Sequence, residues 1–310
     1  MKKQITIVAP TYNEEENVLH FYSRVTEVIK SISNYQFEFL FIDNASTDKT
    51  ANILKDLAKK NKQVKVILNT RNFGHIRSPY WGIIQSQGDA TIYLASDLQD
   101  PPELIPQFLD TWEKGFKVVL GVKPESKLNF INHQLKKACY ILLNKISDIE
   151  IIKDSTGFGL YDKEVLNEVR KINDPYPFLR GIIAELGYEV KQIPFVQDRR
   201  FKGFTKNNFY TLYDIGILGI INHSITPIRM ASLIGFFVGC ISLIFAFIFF
   251  ILKIMYWNTF PLGISPIIIG MFFMFGLILI FIGFLGEYIG SIHTYLRKRP
   301  VVVEKERINF

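Results

Sequence analysis

Cysteine is scarce in this chain of 310 residues, which contains only Cys139 and Cys240. The two form no Cys-x-x-Cys pair, so neither a disulfide framework nor a cysteine-based zinc site is predicted. The sequence also lacks the glycine-rich fingerprint G-x-G-x-x-G and the phosphate loop G-x-x-x-x-G-K-[ST]. These absences argue against a dinucleotide-binding fold and against a phosphate-loop nucleotidase.

Charged residues are missing from two long stretches, Met230 to Leu252 and Tyr256 to Gly286. A helix needs about 20 apolar residues to cross a bilayer, so each stretch is long enough for one span. Two buried core helices are the alternative, but helices this long and apolar on all sides are rare in soluble cores. The sequence therefore predicts two transmembrane helices, at about 230–252 and 265–286.

The charges around these stretches predict their orientation. Arg229 precedes the first span and Arg297, Lys298 and Arg299 follow the second, which places both flanks in the cytoplasm by the positive-inside rule. The start, MKKQITIVAP, is too short in its apolar run for a signal peptide. We therefore expect a multi-pass protein of the cell membrane whose N-terminal domain is cytoplasmic.

The same pattern predicts the domain organisation and the partners. The net charge of +7 is explained by attraction to anionic lipid headgroups, and no nucleic-acid partner is predicted. The aromatic-rich segment before the first span is interpreted as an interfacial amphipathic helix, with an ordinary packed helix as the alternative. The predicted parts are a catalytic domain at 1–206, the interfacial helix at 207–226, two transmembrane helices within 227–290, and a cytoplasmic basic tail at 291–310.

The N-terminal domain alternates between strand and helix patterns. Four apolar runs, ITIVAP, FEFLFID, VKVILN and ATIYLA, are typical of strands buried on both faces. Helices with apolar faces separate them, and candidate N-terminal caps are Asn13, Ser46 or Thr47, and Asp100 followed by Pro101. This alternation predicts an α/β fold with a mostly parallel sheet covered by helices.

Polar clusters follow three of these strands, at 10–14, 43–46 and 97–100. The carboxyl ends of parallel strands meet at one edge of a sheet, where ligands of such folds bind. Acids there suit ribose hydroxyls, a base edge and a divalent cation that in turn binds a diphosphate. The sequence thus indicates a nucleotide-sugar site.

Four segments, VAPTYNEEENV, FIDNASTDKT, NFGH and SDLQDPPEL, resemble the successive motifs of family-two inverting glycosyltransferases with a GT-A fold. The chain is most similar to the polyprenyl-phosphate branch, which includes bactoprenol glucosyltransferases and dolichol-phosphate mannose synthases. The C-terminal GEYIGSIHTYLRKRP resembles the bactoprenol group in particular. The resemblance implies a nucleotide-sugar donor (UDP-glucose first), polyprenyl phosphate as acceptor, Mg²⁺ or Mn²⁺ as cofactor, and a possible homo-oligomer assembled through the hairpin.

The resemblance also implies roles for individual residues. Asp97 matches the metal-binding aspartate that ends the family's D-x-D motif and also faces the donor, while Gln99 supports the metal or the diphosphate. The segment RRFKGFTKNN resembles a phosphate-binding R-x-x-G-x-S-K element, and Asp154 matches a proposed catalytic base. The implied nucleotide-sugar residues are Pro10, Tyr12, Glu14, Asp43, Asn44 and Asp97; the implied catalytic and phosphate-binding residues are Asp154, Arg200, Thr205 and Lys206.

Two positions depart from the family pattern. Ala95 stands where the first D-x-D aspartate is usual, and Gly159 stands where an arginine usually follows Gly-Phe. Asp43, Asp97 and Asp100 also have a simpler interpretation as turn or cap residues. Two other functions therefore stay open: a glycosyltransferase that extends a lipid-diphosphate-linked saccharide through a sugar hydroxyl, and a catalytically silent membrane scaffold that binds a nucleotide sugar.

Overall fold

The structure is a computed structural model, and it describes residues 2–123, 155–172, 174, 177–196, 226–256, 264–297 and 299–310. These residues fall into two units. One unit is built around a β-sheet and includes the last residues of the chain, Lys298–Phe310, while the other contains the two long C-terminal helices. Each unit is described by itself below.

The sheet has eight strands in the order β7-β5-β6-β4-β1-β2-β3-β8. Strands β1 to β4 are parallel to one another, β5 and β7 are parallel to each other, and β6 and β8 run antiparallel to their neighbours. The four predicted strands and the mostly parallel sheet are thereby confirmed. The strands are β1 Lys3–Thr11, β2 Tyr35–Asp43, β3 Val64–Asn69, β4 Ala90–Tyr93, β5 Val118–Val122, β6 Ser155–Asp162, β7 Val190–Pro194 and β8 Glu304–Ile308.

Helices cover both faces of the sheet, because its central strands are apolar on both sides. In β1, for example, Ile5, Ile7, Val8 and Ala9 are all fully buried. One face packs against α1, α2 and α4, and the other packs against α3, α5 and α6. These helices are α1 Val18–Lys30, α2 Thr50–Lys60, α3 Gly74–Gln85, α4 Ile105–Glu113, α5 Lys163–Lys171 and α6 Leu179–Glu185.

Three predicted helix starts are wrong. Helix α1 begins at Val18 and not after Asn13, and α2 begins at Thr50 and not after Ser46 or Thr47. Their polar side chains instead connect the two loops to each other, as described below. Asp100 caps no helix either: the next turn is a 3₁₀ helix, Pro102–Leu104, which has no side-chain cap and leads into α4.

The C-terminal strand β8 is an element that the sequence did not predict. It pairs with β3 at the sheet edge, although it lies within the segment predicted as a basic tail. Val301 and Val302 are buried just before it, and the Trp81 indole of α3 donates a hydrogen bond to the Glu304 carboxylate. This strand could not be predicted from its sequence, EKERI, because an edge strand with mostly exposed side chains has little apolar alternation.

The second unit contains α7, Thr226–Met255, and α8, Ile264–Leu296. Within α8, the 24 residues Phe273–Leu296 have a mean hydropathy of 2.0 and none of their most apolar window is buried. Among the described residues this is the one helix that is long and apolar enough for a membrane span; α7 contributes a shorter apolar stretch, Ile228–Ile241. The two-helix hairpin therefore stays a prediction, and the interfacial helix at 207–226 lies almost wholly outside the described residues.

Candidate active site

The strand order creates a crevice at the carboxyl ends of β1 and β4. From β1 the chain moves to β2 and β3 on one side, and then returns to β4 on the other side of β1. The loops that follow β1 and β4 therefore diverge, which is where open α/β sheets bind ligands. The carboxyl end of β5 and the first residues of β6 lie at the same edge, since β6 runs antiparallel to both β4 and β5.

The loops after β1 and β2 are joined through polar side chains. Asn13 has a left-handed backbone (φ 54°), and its backbone N–H donates to Ser46 Oγ at 2.9 Å. Its Oδ1 accepts from the Thr47 N–H at 2.8 Å, and the Glu14 N–H donates to Thr50 Oγ1 at 2.8 Å. The first two bonds use the side chains of Asn13 and Ser46, which the sequence predicted as caps. Together the three bonds fix the half-buried Tyr12 and Glu14 beside the end of β1.

Asp43 ends β2 with its carboxylate turned into the protein. The residue is 2% exposed, and its two oxygens accept from the N–H and Oγ of Ser46 at 3.0 and 2.5 Å. Burial raises the pKa of Asp43, while the bonds from Ser46 and Thr11 oppose that rise. This carboxylate holds the turn through Ala45 (φ 59°) and does not cap α2, which begins at Thr50.

Asn44 is the hub of the neighbouring loop. Its Nδ2 donates to Asn72 Oδ1 at 2.9 Å and to the Gly74 carbonyl at 3.1 Å. Its Oδ1 accepts from the Phe73 N–H at 2.8 Å and from Asn69 Nδ2 at 3.3 Å. The segment NFGH is therefore held against β2 by one buried amide. Asn44 shapes the edge of the crevice from inside.

The turn after β4 presents Asp97 and Gln99. Ser96 Oγ donates to the carbonyl of Pro10 at 2.8 Å, which ties this turn to the end of β1. Leu98 has a left-handed backbone (φ 58°) and a buried side chain, so it anchors the turn in the core. The Gln99 N–H donates to Asp97 Oδ1 at 3.2 Å. Asp97 and Gln99 are both half-buried, one on each side of this anchor.

Asp100 ends this turn; the sequence offers a helix cap as one interpretation of it, and it belongs to the polar cluster at 97–100. It is 4% exposed, and its pKa is raised to about 6, first by burial and then by the negative charge of Asp97. Lys123 and the Thr156 hydroxyl offset this rise only in part. Its Oδ1 has no hydrogen-bond partner among the described residues.

Two cations at this edge were not identified from the sequence. Lys123 directly follows β5, and Arg180 of α6 donates from Nη1 to the Ser155 carbonyl at 2.5 Å. Arg180 also acts on the Tyr93 hydroxyl, whose pKa is raised by burial, Asp100 and Asp97 and lowered by Arg180. Lys123 could have been found from the sequence, because it directly follows the apolar run VVLGV, which is typical of a buried strand. For Arg180 no local pattern gave a signal, since it lies on α6 and its partner Ser155 lies on β6.

Four predicted residues, Asp154, Arg200, Thr205 and Lys206, lie outside the described residues. Within the described ranges, no three His, Cys, Asp or Glu side chains converge as a metal cage. A divalent cation at this edge would need oxygen ligands from one or two carboxylates, an amide and the bound diphosphate, which is a common arrangement for Mg²⁺. Asp97, Gln99 and the incompletely bonded Asp100 fit such a cation.

Gly159 has a structural reason to be glycine. A Cβ atom there would overlap the backbone carbonyl oxygen of Val119, because β5 and β6 approach closely at this pair. The arginine that is usual in the resembling family cannot be accommodated unless these strands move. Glycine in place of the usual arginine at position 159 is therefore explained by the close packing of β5 against β6.

Comparison with known proteins identifies the family. The family model described as "Glycosyl transferase family 2" matches residues 6–170. The chain is 33% identical over 301 residues to "Uncharacterized glycosyltransferase YkcC" of Bacillus subtilis (strain 168), covering 97% of this chain and 93% of that protein. It is 32% identical over 305 residues to the "Bactoprenol glucosyl transferase" of Shigella phage SfX, covering 98% of this chain and 99% of that protein.

Solved structures are more distant. A mannosyltransferase from Pyrobaculum calidifontis, in complex with GDP-Man and Mn²⁺, is 15% identical with a TM-score of 0.49, covering 75% of this chain and 65% of that chain. This likeness is too remote to bear on ligands. The family match and the full-length relatives are decisive: the chain belongs to glycosyl transferase family 2 and is a glycosyltransferase with a GT-A-like α/β fold.

Proposed function

We propose that this glycosyltransferase moves a sugar from a nucleotide-diphospho-sugar, with UDP-glucose as the first candidate, to the phosphate of a polyprenyl phosphate at the cytoplasmic face of the membrane. The observation that carries this proposal is the acidic turn Asp97–Asp100, held against the end of β1 at the crevice of the sheet. Full-length relatives named bactoprenol glucosyl transferase support the acceptor and the glucosyl donor.

In this proposal the loops after β1, β2 and β4 form the donor side. Tyr12 and Glu14 line the nucleotide, Asp97 and Gln99 hold Mg²⁺ or Mn²⁺, and Asp43 and Asn44 contribute mainly by fixing the loops. The cation, when bound, neutralises charge that develops on the departing diphosphate. Pro10 contributes its carbonyl, which orients Ser96 and with it the acidic turn.

The reaction proceeds with inversion. An oxygen of the lipid phosphate bonds to the anomeric carbon while the bond from that carbon to the diphosphate breaks on the opposite face, and the nucleoside diphosphate leaves with the electron pair. Arg200, Thr205 and Lys206 are proposed to bind phosphate oxygens. An ionised lipid phosphate is already nucleophilic, so Asp154 is needed less as a base than it would be for a sugar hydroxyl.

The position of β8 supports a membrane hairpin. Strand β8 follows α8 in the chain, yet it pairs with β3 inside the sheet of the N-terminal domain. In a membrane protein with this pairing, the segments before α7 and after α8 would lie on the same side of the membrane, and the chain between them would cross it an even number of times. If α8 spans the bilayer, then a second crossing precedes it, and the charge-free run within α7 is the candidate.

Transfer assays on purified full-length protein in detergent test the proposal. We expect labelled sugar to move from one nucleotide sugar of a panel to undecaprenyl phosphate, and Asp97→Asn to abolish it. Asp110→Asn is the matched control, because Asp110 is an exposed acid of α4. Transfer only to a lipid-linked saccharide would favour a hydroxyl acceptor, and nucleotide-sugar binding without any turnover would favour the scaffold function.

A further inference from the structure

Asp100 has a carboxylate whose environment is incomplete. The residue is 4% exposed, and its Oδ1 atom has no hydrogen-bond partner within the described part of the chain. A buried charged oxygen without a donor is costly, so a site of this kind needs an explanation. Its place within the turn that carries Asp97 and Gln99 directs attention to the candidate active site.

The groups around Asp100 do not fully compensate the negative charge of its buried carboxylate. Asp97 lies close enough to repel its charge, while Lys123 and the Thr156 hydroxyl compensate only in part. Asp100 also has no capping role, since the following 3₁₀ helix has no side-chain cap. Two neighbouring carboxylates of like charge, one of them buried, favour either a shared proton or a cation between them.

We propose that Asp100 is a further ligand of the divalent cation, acting together with Asp97 and Gln99. This inference rests on the proposed function, in which that cation binds the donor diphosphate. Hard cations take oxygen ligands, and Mg²⁺ sites commonly use one or two carboxylates while water and substrate phosphates fill the other positions. Ala95, two residues before Asp97, offers no side-chain oxygen, so Asp100 supplies the second carboxylate of the site.

The test is Mn²⁺ binding to full-length protein in detergent with saturating UDP or GDP, which supplies the diphosphate. Binding is measured from the electron paramagnetic resonance signal of free Mn²⁺, relative to the same nucleotide without protein. Asp100→Asn keeps the shape of the side chain and removes its charge. We expect it to weaken Mn²⁺ binding by about tenfold or more, a loss typical of a removed metal-site partner. Asp97→Asn is expected to weaken binding at least as much, and the exposed control Asp110→Asn is expected to leave it unchanged.

A second pair of measurements separates a ligand from a structural residue. Without metal, Asp100→Asn is expected to unfold at the same or a higher temperature than the original protein, because a buried like charge has been removed. Ala95→Asp, added to Asp100→Asn, is expected to restore Mn²⁺ binding by returning a second carboxylate to the turn. A lower unfolding temperature together with unrestored binding would show that Asp100 is structural, and would overturn the inference.

The outcomes also distinguish this inference from the proposed function. If Asp97→Asn loses Mn²⁺ binding while Asp100→Asn binds normally, Asp100 is no ligand and the metal site of the proposed function stands. If neither substitution changes Mn²⁺ binding in the presence of the nucleotide, or if the original protein binds no more Mn²⁺ than the nucleotide alone, then the metal-dependent site and the role of Asp100 are both refuted. Only weaker binding in both variants supports the inference.

Discussion

Ser96 Oγ donates a hydrogen bond of 2.8 Å to the carbonyl of Pro10, so the turn that carries the acids is attached to the strand beside the crevice. Pro10 lies near the end of β1, and Ser96 lies in the turn after β4, at the switch in strand order. Because Ser96 is buried, the bond is protected from water. The bond holds the acidic turn beside the end of β1.

Ser96→Ala is expected to reduce the free energy of unfolding by about 1 kcal/mol, the usual net value of one such bond. It is also expected to raise the KM for the nucleotide sugar, since the acidic turn loses its attachment. Unfolding curves and initial-rate kinetics measure the two effects. Ser31→Ala is the control, because Ser31 bonds to the Val28 carbonyl on an exposed surface. Equal KM values for Ser96→Ala and the original protein would contradict this account.

Asn44→Ala is expected to destabilise the protein by about 2–4 kcal/mol, because several buried groups lose their partners at once. The affected groups include the Phe73 N–H and the side chain of Asn69. Asn72→Ala removes the bond from Asn44 and the bond from the Gly74 N–H, both accepted by an exposed residue, and is expected to cost less. Urea unfolding of both variants checks the ranking, and similar losses for the two would show that Asn44 is no hub.

Gly159→Ala is expected to destabilise the sheet by about 1–3 kcal/mol or more, the usual range for overpacking, since the new Cβ meets the Val119 carbonyl. Gly187→Ala is a useful comparison: its φ is +70°, but a Cβ there has open space. Its left-handed backbone is expected to cost about 1–2 kcal/mol. Thermal unfolding ranks the two, and a milder effect at Gly159 would refute the steric explanation.

Glu304 links the C-terminal strand to α3, and its loss is expected to cost about 1 kcal/mol at neutral pH. Burial raises the pKa of Glu304, but bonds from Arg307 and the Trp81 indole lower it below the ordinary value of 4.5. A lowered pKa means that this stability is complete above that value and is lost as the pH falls through the lowered pKa.

The pH dependence is measured with Glu304→Gln in full-length protein. Its deficit in unfolding free energy relative to the original protein should be present at pH 7 and shrink in acid. Glu306→Gln is the control, because the Lys55–Glu306 pair is exposed and such pairs contribute little. A deficit that is constant from pH 7 to acid would contradict the ionised bond at Glu304.

Reporter fusions test the membrane hairpin. A reporter active only outside the cell, inserted between Asn258 and Thr259, is expected to be active, and a fluorescent protein fused after Phe310 is expected to fluoresce in the cytoplasm. The pairing of β8 with β3 requires a cytoplasmic C-terminus if the N-terminal domain is cytoplasmic. An external C-terminus would show that the chain crosses the membrane an odd number of times, and that β8 cannot pair with β3 in the membrane-inserted protein.

The sequence predicted the four apolar strands well, because strands buried on both faces are continuous runs such as ITIVAP. It failed where polar residues have long-range partners. Asn13 and Ser46 look like helix caps from their own neighbours, yet they bond to each other across 33 residues. Strand β8 was missed for a related reason: the residues of β8 show no apolar alternation that would indicate its pairing with β3.

The candidate site was predictable only in part. The positions of Asp97 and Gln99 follow from a carboxylate and an amide in the turn that comes after a buried strand. The internal roles of Asp43 and Asn44 depend on side-chain partners from other loops, and no local pattern reveals them. Likewise, Asp100 looks like a helix cap because it precedes a proline. Only the structure shows that it caps nothing and that its Oδ1 atom has no hydrogen-bond partner among the described residues.

The most direct test of the central claim is the chemistry of the product. Full-length protein is incubated with labelled UDP-glucose, undecaprenyl phosphate and Mn²⁺, and the labelled lipid is treated with mild acid. We predict that glucose is released as the free sugar, as expected for a monophosphate linkage to the lipid. A labelled lipid that retains its glucose under these conditions, or label transferred only to a lipid-linked saccharide, would contradict the account.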